Sequence, residues 1–440
     1  MQERKIYSSR VWVDNKLQPA TITFNYGITA IDFNKSADAE DYGKALIMPG
    51  VIDVHVHINE PGRTEWEGFE TATQAAAAGG STTIIDMPLN ASPVTTTLDA
   101  FNQKIEASKG KMNVNVGFYA GLIPGNASHL ESLIQAGVVG VKCFLTHSGI
   151  DEFPNVTEKD LDEAMPIIAR HNIPLLAHCE LYDTEIDCDF DTNPTSYQHY
   201  LASRPKKWEN DAIDLMIRMC RKHNCPIHIV HVASAEALAM IEAAKKEGLP
   251  ITAETCTQYI FFNAEDIPDG NCIYKCAPPI REKTNNEQLK KAFISGVLDF
   301  ITTDHSPAPP NIKEMESGNL RKAWGGIAGI QFLLTASWTA LKETMSLEQF
   351  IPLVTSKPAS FIKSSTKGTI KIGNDADFVI WNPDAIDLAK PEDIFFRYKI
   401  SPYIATRLNG KVLETIVNGA TVYRNKSLQN KNKGQWLLQK

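Results

Sequence analysis

The sequence predicts an α/β protein: a closed (β/α)8, TIM-like barrel beside a small β-sandwich domain built from both termini. Three observations predict it. Eight short, β-branched apolar runs alternate with eight helical patterns. The runs are apolar almost without a break, the mark of parallel strands covered on both faces. The rhythm stops at both ends, where short strand patterns are separated by Gly-Asn pairs and Asp-rich turns.

Residues 1–45 carry strand patterns at Val11–Val13 and Thr21–Phe24 and form the first part of the sandwich. The barrel is placed at 46–365. Its strands are expected at Leu46–Ile58, Thr82–Met87, Met112–Tyr119, Val138–Phe144, Ile173–His178, Pro226–Val232, Pro250–Glu254 and Asp299–Thr303. The helices between and after them are expected at Glu67–Ala78, Leu98–Ala107, Ala127–Ala136, Glu158–His171, Glu209–His223, Ala235–Glu247, Glu287–Ser295 and Gly326–Leu341. Eight strand–helix units favour closure over the alternative, an open doubly wound sheet. Residues 366–440 return to strands, at Gly368–Ile372, Asp377–Trp381, Gly410–Val417 and Ala420–Arg424, and complete the sandwich.

Composition narrows the function. The chain has 440 residues, 43% hydrophobic and 22% charged, which is ordinary for a globular protein and excludes a disordered or fibrous one. No window approaches the ~18–20 uninterrupted apolar residues of a membrane span, and the first residues lack a signal-peptide core. The formal charge of −8 argues against a nucleic-acid partner. Eight cysteines are scattered with no CxxC pair, which fits reduced thiols in the cytoplasm better than a disulfide framework.

The chemistry begins at His55-Val56-His57, at the end of the first run. Residues i and i+2 of a strand share a face, so both imidazoles point together at the C-terminal mouth, where barrel enzymes place their sites. Alone, such a pair is weak. Lys142 closes the fourth run, His178 the fifth, His231 the sixth and Asp304 the eighth. Six polar residues stand at the same end of different strands. Four His and one Asp suit zinc or a similar divalent ion. They are too many for one tetrahedral site with an open position, and two ions ~3.5–4 Å apart fit better. Lys142 is the odd member, because an ammonium repels a cation. A buried or salt-bridging lysine is one reading. The other is a lysine carboxylated on its side-chain nitrogen by carbon dioxide, whose anionic oxygens can bridge both ions.

These residues carry a resemblance. The ordered set HxH, Lys, His, His, Asp resembles the cyclic-amidohydrolase branch of the amidohydrolase superfamily: dihydroorotases, hydantoinases and allantoinases. The likeness runs from Pro49-Gly50-Val51-Ile52-Asp53-Val54-His55-Val56-His57 to Gly373-Asn374-Asp375-Ala376-Asp377-Phe378-Val379. It implies that His55, His57 and Asp304 hold one metal, that His178 and His231 hold the other, and that carboxylated Lys142 bridges them. It implies two divalent ions, zinc first, with cobalt, nickel, manganese or iron as alternatives. It also implies ring-amide hydrolysis by a hydroxide shared between the ions, with Asp304 as general base and acid. Relatives are commonly tetramers or dimers, so a homo-oligomer is expected.

Three segments resemble allantoinases within the branch: Asn59-Glu60-Pro61-Gly62-Arg63 through Thr71, Lys322-Ala323-Trp324-Gly325-Gly326, and Ser401-Pro402-Tyr403. The expected substrate is therefore a small cyclic ureide, with allantoin opened to allantoate in purine catabolism. Hydantoinase, dihydropyrimidinase or dihydroorotase activity is the alternative. A non-catalytic scaffold is disfavoured because all six ligand positions are kept. Arg63, Asn90, Ala277 and Gly325 are the expected substrate contacts. Asn90 has an Asx-turn reading and Gly325 a tight-packing reading beside this one. Gln258 departs from the His common at its position.

Overall fold

The computed structural model describes residues 2–182 and 192–439. Eight strands form the barrel: Val51–Val56, Ser81–Asp86, Asn115–Phe118 with its continuation Ala120–Gly121, Val141–Phe144, Leu175–His178, Ile227–Ile229, Ile251–Cys256 and Phe300–Thr302. Neighbouring strands run parallel. The circle closes where Val56 bridges His305 and the His57 amide donates to the His305 carbonyl at 2.8 Å. Every residue of these strands except Thr252 is buried, which is why the runs read as continuously apolar.

Alternation sorts their side chains. Val141 and Cys143 pack outward under the helices, as do Leu175 and Ala177, while Phe144 and Leu176 pack inside the barrel. The helices show why they form where they do. In Glu158–Arg170, Leu161, Ala164, Met165 and Ile168 make one buried stripe, and Thr157 with Asp160 closes a capping box. Lys206–His223 ends at Asn224 in the left-handed conformation, a common helix stop.

The second unit is a nine-stranded sheet drawn from both ends of the chain, the β-sandwich that flanks the barrel. Leu46–Pro49 lies between Arg4–Val13, to which it runs parallel, and Phe378–Leu388, to which it runs antiparallel. The run expected as one barrel strand from Leu46 is thus two strands in different sheets. Gly50 marks the switch. A Cβ there would sit 2.0 Å from the Thr82 hydroxyl oxygen, so no side chain fits without displacement. Ile22, Phe24, Ile47, Phe378 and Ile380 form the sheet's own core.

Three other expectations are corrected. Gly368–Ile372 forms no strand. The helix expected from Gly326 begins at Leu333, after a 3-10 turn at Ile330–Phe332. The glycines before it are used for close approach: the Gly329 amide donates to His305 Nδ1 at 3.1 Å. The end of the chain does not stay in the outer sheet, since Trp436–Leu437 pairs parallel with Asn115–Phe118 of the barrel. Among the described residues no helix is long and apolar enough to cross a membrane. The seven cysteines among them are buried and free of disulfides, and Cys188 lies outside the described residues.

Candidate active site

A cavity of about 950 Å³ opens at the C-terminal ends of the barrel strands. His55, His57, Lys142, His178, His231 and Asp304 all line it, and all are buried. The structure therefore brings together the six residues that strand-end placement singled out.

Local backbone explains how. Ile52 and Val54 pack inside the barrel, so strict alternation would turn His55 and His57 outward. A register shift between Asp53 and Val56 against the second strand changes the parity and aims both imidazoles into the cavity. Asp53 locks this arrangement to the eighth strand. It accepts from the His55 amide at 3.2 Å, the Thr303 amide at 3.3 Å and the Thr303 hydroxyl at 2.5 Å. Its burial pushes its own carboxyl up to about 7. His231 and Asp304 hold left-handed backbone, at φ 41° and 45°, where non-glycine residues are uncommon.

Two groupings appear. Asp304 Oδ1 lies 3.2 Å from Nε2 of both His55 and His57, and ligand atoms of these three residues fall within 4.8 Å of one another. His178 Nδ1 lies 2.9 Å from His231 Nε2. The rings of His55 and His231 are 5.6 Å apart, so the groupings adjoin.

The protonation pattern suits cation binding. Burial lowers His55, His178 and His231, so their imidazoles are neutral and carry a lone pair. Burial pushes Asp304 up, but His55 and His57 outweigh it, and its carboxyl lies below the usual value. Burial brings the Lys142 amine down to about 8, and its Nζ has no hydrogen-bond partner. A buried amine without a partner in a histidine-lined cavity fits a group that gains its bonds when ions and carbon dioxide bind.

Carboxylates behind the histidines were not foreseen. Glu254 Oε1 lies 2.5 Å from His55 Nδ1, leaving Nε2 toward Asp304. Glu180 Oε2 lies 2.7 Å from His178 Nε2, leaving Nδ1 toward His231. Histidines that bind metals commonly donate their other N–H to such partners. The visible signal was an acid inside an apolar run, as in Ala253-Glu254-Thr255, and an acid two residues after His178.

The expected substrate contacts divide. Asn90, Ala277 and Gly325 line the cavity. The Asn90 amide nitrogen Nδ2 lies 3.3 Å from His57 Nδ1 and donates to it. Gly325 packs against Ala277, and a Cβ placed at 325 would meet the Ala277 Cβ at 3.6 Å. Arg63 does not line the cavity. It donates to the Asn90 carbonyl at 3.0 Å, pairs with Glu152 at 2.8 Å and sits over the Trp66 ring. It braces a loop. Gln258 is buried outside the cavity lining. Across the mouth, Trp324 packs edge-on against Trp66 at 4.9 Å, and Lys313 donates to the Trp324 and Gly326 carbonyls, fixing that loop.

Residues 46–422 match the model of the amidohydrolase family. The allantoinase of Arabidopsis thaliana is 40% identical over 442 residues, covering 95% of this chain and 87% of that protein. That of Saccharomyces cerevisiae is 40% identical over 404 residues, 91% and 87% of the two chains. That of Streptomyces avermitilis is 38% identical over 427 residues, 96% and 95%. Among solved structures, the L-hydantoinase (dihydropyrimidinase) of Arthrobacter aurescens superposes with a TM-score of 0.92 at 27% identity, covering 99% of each chain.

Proposed function

The chain belongs to the amidohydrolase family, and from that premise we propose that it opens the hydantoin ring of allantoin to give allantoate. One observation carries the hydrolytic reading: five side chains of ligand type and Lys142 converge at the barrel mouth. The choice of ring is supported by the allantoinases just described, which match over at least nine-tenths of this chain.

Two divalent ions, when bound, would supply an activated water and polarise the scissile carbonyl. His55, His57 and Asp304 would hold one, and His178 and His231 the other. Zinc is the first choice for this donor set. Lys142 would bridge them as the carbamate, and its amine, lowered to about 8, offers the neutral form that adds carbon dioxide. Asp304 takes the proton of the attacking water and returns it to the departing ring nitrogen. Its tight hold by His55 and His57 makes it a weak base whose protonated state is brief. Asn90, Ala277 and Gly325 would seat the ring beside it. A cytoplasmic oligomer acting in purine catabolism is the setting that goes with this reading.

Substrate ranking tests it. Purified, metal-loaded protein is assayed on allantoin, hydantoin, dihydrouracil and dihydroorotate. Allantoin is expected to give the highest kcat/KM, and hydantoin or dihydrouracil in first place would move the assignment to the hydantoinases.

A further inference from the structure

Behind the cavity floor, one carboxylate is held from two sides. Glu180 is fully buried. Its Oε2 lies 2.7 Å from His178 Nε2. Arg204 reaches the same carboxylate with two donors, Nε to Oε1 at 3.0 Å and Nη2 to Oε2. A planar guanidinium bonded at two points fixes the plane of a carboxylate as well as its place. His178 Nδ1 then faces His231 Nε2 at 2.9 Å, and the Phe144 ring stacks on the imidazole at 4.5 Å and 11°. The arginine is itself secured. Its carbonyl accepts from Arg281 Nη1 at 2.6 Å, and Pro205 after it opens the helix Lys206–His223. Its guanidinium nevertheless belongs to the cavity wall, with 25% of the side chain exposed.

We propose that Arg204 and Glu180 are positioning residues for His178. The guanidinium fixes the carboxylate. The carboxylate fixes the ring plane and the Nε2–H tautomer of the imidazole. Nδ1 is thereby presented as the lone pair for a divalent ion. The inference rests on the metal-dependent reading of the cavity and extends it to the wall. A histidine free to rotate or to change tautomer presents its lone pair only part of the time, so ligand order here converts into metal affinity.

Metal retention is the test. Wild type, Glu180→Ala, Glu180→Gln, Arg204→Gln and Arg204→Lys are loaded with zinc and dialysed against graded chelator, and bound metal is counted by plasma mass spectrometry. Glu180→Ala is expected to release one of two ions at ~10–100-fold lower chelator concentration than wild type. Glu180→Gln keeps an acceptor for the imidazole and should fall between the two. Arg204→Gln should weaken retention, and Arg204→Lys, which keeps the charge, should recover part of it. In excess zinc, Arg204→Gln should regain kcat at unchanged KM. A raised KM at full loading would overturn the positioning role and make Arg204 a substrate contact. Unchanged retention in both Glu180→Gln and Arg204→Gln, which preserve volume if Glu180→Ala fails to fold, would overturn the proposal and leave the site reading intact. Wild type that retains no zinc would overturn the site reading itself.

Discussion

His231 and Asp304 carry the left-handed backbone of the cavity floor, and a conformation of that kind costs ~1–3 kcal/mol unless its surroundings impose it. At Asp304 they do, through the Asp53 bonds to Thr303 and the His305 carbonyl that closes the barrel. The side chains are therefore presented at fixed angles, and their loss should be felt in chemistry more than in folding. Asp304→Asn is expected to lower kcat by ~10²–10⁴-fold, the usual contribution of a general base or acid; a rate within a factor of a few, at confirmed metal content, removes the proton-carrying role. Lys142→Ala is expected to lose activity and at least one ion, and a variant with two ions and normal turnover would end the bridging assignment. The six floor residues were legible in the sequence because each is a polar interruption where an apolar run stops. The place of Arg63 outside the cavity lining was not legible: its partners Asn90 and Glu152 lie far along the chain, and only folding shows that they hold it. Glu180 and Glu254 were passed over because an acid's meaning depends on the imidazole it meets in space.

At the scale of elements, the barrel strands were readable because both of their faces are buried, while boundaries were not. Nothing in Leu46–Ile58 announces that the chain changes sheets, except the single glycine at 50. The short pairing of Trp436–Leu437 was invisible because two residues carry no periodicity. The glycine makes the sheet change testable. Gly50→Ala puts a Cβ into the Thr82 side chain, and overpacking of this kind costs ~1–3 kcal/mol. Urea denaturation should show a lower midpoint with an unchanged slope. An unchanged midpoint would mean that the switch relaxes without strain.

At the scale of the molecule, stability should respond to pH through buried acids. Burial raises the Glu209 carboxyl to about 7, while in the unfolded chain it returns to ~4.3. The folded chain holds that proton more tightly. This group's contribution is complete below the unfolded value and is lost as pH rises through about 7. Comparison with Glu209→Gln isolates it: wild-type stability minus variant stability should fall by on the order of 1–3 kcal/mol between about pH 5 and about pH 8. A difference flat in pH would show that the carboxyl titrates normally. The outer sheet has a separate consequence. Leu46 stands opposite Trp381, so strands near residues 4–49 find their last neighbours only after the whole barrel has been made. During translation the nascent chain must carry Ile22, Phe24 and Ile47 without a finished sheet to cover them. Such distant pairing slows folding and leaves sticky edges open to other chains. Recombinant yield should therefore answer to chaperone supply and culture temperature more than to the stability of the mature protein.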